Sequence, residues 1–464
     1  MTKAGSPWAW VPTLYFFEGI PYFLVNVVSV TMFKRLGMDN ASLAALTSLL
    51  YLPWVIKPLW SPLVDVVRTK RWWILAMQTL LVACFAALAF SLPHATGGGV
   101  GPFIPALVLF YIGAMLSATH DIAADGFYML ALDSRQQSLF VGIRSTFYRI
   151  SSVFGQGVIV VVAGLLEERL GTIPKAWSLT LLGSSALLAL LSLWHFRFLP
   201  HSESPDSRPE SPSKSSVPDG FTGVARSARL GTARSDQSVA AADQLAAPTH
   251  GSHDQPRSFW AAFGTFFAKP GIGLALAFML LFRLPEALSV KMLTPFMLDP
   301  ASAGGLGLST AQSGLVYGTV GVIALTIGGI LGGIFAARVG LRKAMWPMAL
   351  SLALPCAVYL YMAMAQPSQL WVVYLCVAFD QFGYGFGFTA YMLYLMYFSD
   401  GTYKTSHYAI CTAFMALSMM VPGFFAGWLQ QALGYTGFFV LVMICCLATV
   451  AVTAVLAPRI RDSR

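Results

Sequence analysis

The stretch Asp65-Val-Val-Arg-Thr-Lys-Arg-Trp-Trp73 is a short basic segment that joins two long apolar runs. A segment of the same character, Arg338-Val-Gly-Leu-Arg-Lys-Ala-Met-Trp346, recurs in the second part of the chain. Each segment follows the second apolar run of its half and precedes the third. One feature repeated at equivalent places predicts two structurally related halves.

The composition places the chain in a membrane. Of its 464 residues, 56% are hydrophobic and only 11% are charged, whereas a soluble protein carries about 25% charged residues. The apolar runs are continuous, while the strands of a membrane barrel alternate polar and apolar residues. The chain is therefore expected to be an all-α membrane protein.

Twelve apolar runs have the length of about 20 residues that a bilayer requires. They predict twelve transmembrane helices in two six-helix halves, 1–198 and 259–464, joined by a disordered cytoplasmic linker, 199–258, whose polar composition cannot bury a core. An interfacial helix is expected at Arg257–Ala268. The predicted spans are 10–33, 42–64, 72–93, 103–130, 140–165, 177–198, 271–298, 311–336, 344–365, 371–398, 406–430 and 437–458.

The basic residues indicate the orientation. With the N-terminus inside, the inner loops hold twelve Lys and Arg residues and the outer loops four, so both termini are expected to be cytoplasmic. The net charge of +9 is explained by these loops, and nucleic-acid binding is not expected. A gating role is assigned to charges of the two repeated loops, namely Asp65, Arg68, Arg71, Arg338 and Arg342.

Charged residues inside the predicted spans mark the candidate site. A charge in the middle of a membrane helix costs about 2.5–3.5 kcal/mol on insertion scales, so such groups pair or face water. Any one pair can be merely structural, but the whole set favours a transport pathway. The acids are Glu18, Asp121, Asp125, Glu286 and Asp380, and the bases are Lys57, Arg144, Arg149, Arg283 and Lys291.

The fourth span carries the candidates for proton coupling. Asp121 and Asp125 are one helical turn apart and share a face. Arg149 in the fifth span is the expected partner of one of them, and if it holds Asp121, then Asp125 is the freer proton carrier. Glu18 is a third candidate, and His120 is a lower-ranked relay because imidazole titrates near neutral pH.

The second half carries candidates for cargo binding. Arg283-Leu-Pro-Glu286 places a base and an acid around a helix-breaking proline, and a broken helix can line a cavity. Arg283 is a candidate clamp for a carboxylate or phosphate. Asp380, Gln381 and Tyr384 are further candidates for ligand contacts, alongside Lys57, Arg149 and Glu286.

Several motifs resemble one transporter family, the AmpG muropeptide permeases and their acetyl-coenzyme A transporter relatives in the major facilitator superfamily. The resemblance covers nearly all spans and omits the linker. The motifs are Leu14-Tyr-Phe-Phe-Glu-Gly-Ile-Pro21, Lys57-Pro-Leu-Trp-Ser-Pro-Leu-Val-Asp65, Ala118-Thr-His-Asp-Ile-Ala-Ala-Asp-Gly126, Tyr148-Arg149, Arg283-Leu-Pro-Glu286, Thr294-Pro-Phe, Tyr408-Ala409 and Phe425-Ala-Gly-Trp428.

The resemblance implies a major facilitator fold and proton-driven import of cell-wall sugar–peptides across the inner membrane. The cargo would be a muropeptide or an anhydro-amino-sugar, carried by alternating access. Four features depart from the family pattern: His120 replaces its glutamine, Glu18 replaces a small polar residue, Phe127-Tyr-Met-Leu130 lacks a common charge, and Arg68-Thr-Lys-Arg71 is a reduced Gly-Arg-Arg run.

Other functions remain as alternatives. In the same class, the cargo could be acetyl-coenzyme A, a nucleotide conjugate or a siderophore. An intramembrane acyltransferase could use His120 with Asp121, although the two-half repeat argues against an enzyme. Six scattered cysteines show no metal-ligand spacing, so neither a metal nor a cofactor is expected. The expected partners are a small-molecule cargo, protons and the bilayer, and the protein is expected to be a monomer.

Overall fold

The computed structural model describes residues 6–94, 100–201, 258–401 and 403–460. These residues form helices and no strands. In chain order the helices are α1 (Pro7–Arg35), α2 (Asn40–Ile56), α3 (Ser61–Val66), α4 (Lys70–Ser91), α5 (Ile104–Ala131), α6 (134–170), α7 (Ile173–Phe198), α8 (Ser258–Phe267), α9 (Ile272–Leu298), α10 (Thr310–Val339), α11 (Leu341–Ala365), α12 (Leu370–Ser399) and α13 (Lys404–Leu456).

Helices occupy all of the predicted spans, and the all-α membrane fold is confirmed. Among the described residues, nine helices are long and apolar enough to cross a membrane. One of these runs through a non-helical Gly434 and so contains two predicted spans. The second predicted span is divided between α2 and α3, and α12 is 30 residues long but contains polar residues. The exact count of twelve therefore stays a prediction.

Local sequence explains the interruptions in the helices. A turn at 282–283 divides α9, as predicted from Pro285, because proline suits the first turn of a new helix segment. Both repeated basic loops turn at a residue with positive φ, Arg68 at 62° and Gly340 at 83°. This shared turn supports the equivalence of the two loops. The side chain of Asp65 and most of the linker, 202–257, lie outside the described residues.

The two halves pack closely at two helix pairs. A Cβ built on Gly164 of α6 would lie 2.3 Å from the backbone nitrogen of Ala311 in α10. A Cβ on Gly427 of α13 would lie 2.0 Å from the carbonyl oxygen of Asn40 in α2. Only glycine permits this approach of two backbones, as in other membrane helix pairs.

Polar contacts join the halves on one side of the bundle, which we name the far side. It carries the connections 36–39, 171–172 and 299–309. Lys34 Nζ of the first half lies 2.6 Å from Asp299 Oδ1 of the second. Within the first half, Arg35 Nη2 lies 2.9 Å from Glu167 Oε2. Thr310 of the second half donates to the same Glu167 oxygen at 2.7 Å. These contacts, which are partly or fully buried, close the far side of the bundle.

The glycine contact should be needed for this packing. Gly164→Val places side-chain atoms where the α10 backbone lies, and overpacking of this kind costs about 1–3 kcal/mol. We expect the melting temperature of the detergent-solubilised protein to fall. Gly183→Val in α7 is the matched control, because a Cβ there meets no atom within 4 Å. Equal melting temperatures for the two variants would contradict the close packing.

Candidate functional site

Two ion pairs lie at the centre of the first half. Lys57 Nζ lies 2.6 Å from Asp121 Oδ2, and their side chains are 38% and 20% exposed. Arg144 Nη2 lies 2.7 Å from Asp125 Oδ1. The two acids are on α5, while Lys57 follows α2 and Arg144 belongs to α6. The stacked carboxylates are therefore held by bases from two different helices.

Aromatic rings hold the buried Arg144. Its guanidinium carbon lies 4.4 Å from the centroid of the Tyr15 ring and 5.0 Å from that of Tyr128. The hydroxyl of Tyr15 donates to Asp125 at 3.2 Å. Such cation–π contacts contribute about 2 kcal/mol when desolvated. The arginine is thus fixed in position by the same residues that surround its carboxylate.

Glu18 completes the group that we name the acid cluster: Glu18, Asp121 and Asp125 with Lys57 and Arg144. Glu18 is only 5% exposed and lies next to Asp121 within hydrogen-bonding reach. Its Oε2 accepts no hydrogen bond from the described residues. Three carboxylates against two bases leave the acid cluster one positive charge short.

The expected pairing with Arg149 was wrong. Arg149 is half-buried, and the structure gives both aspartates other partners. Arg149 lies five residues after Arg144, so on a helix it points about 140° away from it. The correct arginine is recognisable from the sequence only once the face of α6 that meets α5 is known.

His120 belongs to a separate buried chain of polar side chains. Its Nε2 lies 3.1 Å from Gln78 Nε2, and Gln78 Oε1 lies 3.1 Å from His195 Nδ1. His195 Nε2 lies 3.0 Å from Thr13 Oγ1. The chain links α5, α4, α7 and α1 inside the first half. A relay role for His120 stays a prediction, since these contacts equally fit helix–helix hydrogen bonding.

In the second half, Arg283 is already occupied. Its Nε donates to Glu286 Oε2 at 2.9 Å and its Nη2 to Glu286 Oε1 at 2.8 Å. Nη2 also donates to the hydroxyl of Tyr384 at 2.9 Å. The fork expected to hold a cargo anion holds Glu286 in this conformation. A role as cargo clamp would require that bidentate pair to open.

Asp380 lies in a different environment from the other acids. Tyr359 Oη donates to its Oδ2 at 2.6 Å, and Gln381 Nε2 donates to the same oxygen at 3.0 Å. A cavity of about 20 Å³ adjoins these groups, and Glu286 and Tyr384 also line it. Tyr359 is not among the residues singled out from the sequence, because a tyrosine in an apolar span carries no distinguishing signal.

Lys291 is a buried base between the halves. It is 3% exposed, and its Nζ donates to Thr47 Oγ1 across the interface at 3.3 Å. The ring centroid of Tyr51 lies 5.1 Å from Nζ. No carboxylate pairs with Lys291 among the described residues.

The predicted gating residues of the two repeated loops lie in different environments. Arg71 donates to the Phe196 and Leu199 carbonyls at the end of α7, while Arg338 and Arg342 are exposed.

The acid cluster yields a stability prediction. Arg144→Met leaves the partly exposed Asp125 without its base, and breaking a buried pair from one side costs at most about 3–5 kcal/mol. We expect a large fall in melting temperature, measured in detergent. Arg149→Met, on the other face of α6, should change it little, and Asp125→Asn combined with Arg144→Met should restore part of the loss. A larger effect of Arg149→Met would contradict the pairing.

Replacing Lys291 and replacing Lys34 should change the melting temperature in opposite directions. Lys291→Met removes a buried amine that no carboxylate compensates among the described residues, and an apolar side chain does not incur the cost of burying an unpaired charge. Lys34→Met removes one partner of the Asp299 pair at the same interface. We expect the melting temperature to rise for Lys291→Met and to fall for Lys34→Met. A fall for both would indicate an unrecognised partner of Lys291.

Comparisons with solved structures agree with this architecture. The nucleoside transporter NupG superimposes with a TM-score of 0.62 at 16% identity, covering 97% of this chain and 98% of that chain. A bacterial homologue of the human lysosomal transporter Spinster gives a TM-score of 0.64 at 14% identity, covering 97% and 95%. These likenesses establish the fold.

Curated relatives cover nearly the whole chain at low identity. The anhydromuropeptide permease of Escherichia coli K12 is 23% identical over 433 residues, which is 92% of this chain and 74% of the permease. The putative transporter AmpG 4 of Rickettsia conorii is 21% identical over 444 residues, covering 93% and 91%. The family model described as Major Facilitator Superfamily matches residues 13–404. The chain therefore belongs to the major facilitator superfamily, a family of membrane transporters rather than enzymes.

Proposed function

We propose that this protein is a proton-coupled importer of cell-wall sugar–peptides, a muropeptide or an anhydro-amino-sugar, that works by alternating access. The single observation that carries the coupling is the acid cluster, in which the buried Glu18 and the partly exposed Asp121 and Asp125 face two bases. The relative named anhydromuropeptide permease supports the cargo class.

Glu18 is the best-placed proton carrier. Asp121 and Asp125 each have a base within 2.7 Å, whereas Glu18 has an oxygen without a hydrogen bond from the described residues. A second negative charge beside Asp121 is unfavourable in a low-dielectric site, so two neighbouring carboxyl groups share a proton. We therefore assign the carrier role to Glu18 in place of Asp125.

The ion pairs also bear on the cargo. Lys57, Arg144 and Arg283 are each compensated by a carboxylate, which leaves Arg149 and Lys291 as the bases of the predicted spans without an ion pair among the described residues. A polyanion such as a coenzyme A ester would need several uncompensated bases facing it. The observed pairing favours a cargo of low net charge over acetyl-coenzyme A or a nucleotide conjugate. A siderophore carried as an anion would meet the same difficulty.

The remaining assignments follow the membrane topology. We propose that both termini are cytoplasmic, which makes the far side external, and that the protein functions as a monomer in the inner membrane. The far-side contacts then close the outer entrance. The half-exposed Lys57 and Asp121 are placed to meet cargo between the halves, and the basic loops at 65–73 and 338–346 are placed to control the inner entrance.

The coupling is tested with Glu18→Gln in proteoliposomes that take up labelled muropeptide. One proton per cargo lets a gradient of one pH unit support about tenfold accumulation, because one pH unit corresponds to about 1.4 kcal/mol. We expect the variant to lose accumulation but to keep counterflow exchange. The exposed Glu168→Gln is the control, and Asp125→Asn separates the two carrier assignments.

Three results would decide against parts of the proposal. Wild-type uptake that ignores the pH gradient would exclude coupling. Unchanged accumulation by Glu18→Gln together with its loss in Asp125→Asn would return the carrier role to Asp125. Absence of muropeptide uptake beside uptake of coenzyme A or a siderophore would exclude the cargo class.

A further inference from the structure

We propose that the cavity beside Asp380 is a binding subsite for a primary ammonium group on the cargo. We name it the Asp380 cavity; it is lined by residues of α9, α11 and α12, including Glu286, Ser289, Tyr359, Asp380 and Tyr384. The assignment rests on the proposed transport function for its physiological meaning. The ligand chemistry comes from the cavity itself.

Asp380 is a buried carboxylate that has hydrogen-bond donors but no base. It is 7% exposed. Tyr359 and Gln381 both donate to Oδ2, and Oδ1 accepts none of the hydrogen bonds found among the described residues. No ion pair of Asp380 occurs in this part of the chain either. The carboxylate is therefore oriented by neutral donors and lacks a compensating cation.

The nearby bases are committed elsewhere. Arg283 directs its fork to Glu286 and to the hydroxyl of Tyr384. Lys291, on the same helix as Glu286, reaches across to Thr47 in the other half. Arg283 therefore compensates Glu286, and Asp380 has no base among the described residues. An ionised carboxylate buried without a counter-charge is strongly unfavourable, so the cavity favours a cation.

The size of the cavity selects the kind of cation. About 20 Å³ of space holds roughly one water-sized group, since about 10–15 Å³ accommodates a water molecule. A primary ammonium group has that size, whereas a guanidinium or a trimethylammonium group does not. An ammonium has three N–H donors, and the cavity offers carboxylate and hydroxyl oxygens as acceptors. Ser289 donates its proton to the Pro285 carbonyl, which leaves its oxygen able to accept.

A binding experiment tests the subsite without relying on transport. Thermal unfolding of the detergent-solubilised protein is measured with n-butylammonium, n-butyltrimethylammonium and n-butanol at equal concentrations. We expect only n-butylammonium to raise the melting temperature of the wild type, and Asp380→Asn to abolish that shift. Asp400→Asn is the control, because Asp400 is exposed and pairs with Lys404 at 3.3 Å.

Specific outcomes would overturn the subsite. Equal shifts with all three compounds, no shift in the wild type, or the same shift in Asp380→Asn would each do so. If Asp380→Asn does not fold, Tyr359→Phe takes its place. It retains the carboxylate but removes a donor that orients it, so a several-fold weaker response to n-butylammonium is expected and an unchanged response would count against the subsite.

An uptake experiment connects the subsite to cargo. Labelled muropeptides with a free lysine ε-amine and with that amine acetylated are compared in wild type and Asp380→Asn. We expect about a tenfold preference of the wild type for the free amine in kcat/KM, equivalent to one hydrogen-bonded charge pair of about 1.4 kcal/mol, and loss of that preference in the variant. If Asp380→Asn lost uptake of both muropeptides equally, Asp380 would have a structural role and the subsite would be rejected. Binding of n-butylammonium without uptake of either muropeptide would instead reject the proposed cargo and leave the subsite standing.

Discussion

The constraint on which this structure depends is that a charge inside a membrane protein must be compensated within the protein. Lys57 and Arg144 compensate Asp121 and Asp125, and Arg283 compensates Glu286. The first two pairs join different parts of the first half and so help to fix their register, whereas Arg283 and Glu286 pair within α9. What remains after these pairs is more informative than the pairs themselves: Glu18 and Asp380 have no base, and Lys291 has no acid among the described residues.

Two helices connect Glu18 and Lys291 to the closed far side. Helix α1 carries Glu18 in its middle and Lys34 at its far end, where Lys34 pairs with Asp299. Helix α9 carries Lys291, and Asp299 follows directly after it. A change of charge at Glu18 therefore acts on an element that also forms a contact between the halves. Glycines such as Gly164 let the halves approach without intervening side chains, so the contact surfaces can act as rigid bodies.

The sequence predicted the two-half organisation and the set of buried charges, but not how the charges pair. Hydrophobic periodicity places Asp121 and Asp125 on one face of a helix, yet it does not say which face of α6 is opposite, and this is why Arg149 was chosen over Arg144. Two of the predicted spans are also not among the nine long apolar helices. Proline interrupts the second span, and the polar residues of α12 lower its apolarity, although both stretches lie within the bundle. Tyr359 could not be found at all, because its importance comes from a contact with Asp380, 21 residues away.

The two carboxylates without bases suggest why proton and cargo would move together. A proton would neutralise Glu18 in the first half, and an ammonium group of the cargo would neutralise Asp380 in the second half. Both halves are then free of an uncompensated negative charge only when the proton and the cargo are bound together. Rearrangement of the halves with one ligand alone would move an uncompensated carboxylate through a low-dielectric interface, which several kcal/mol of desolvation oppose. Closure around both ligands avoids that cost. The charge balance of the two halves thus provides a physical basis for coupling that requires no direct contact between the proton and the cargo.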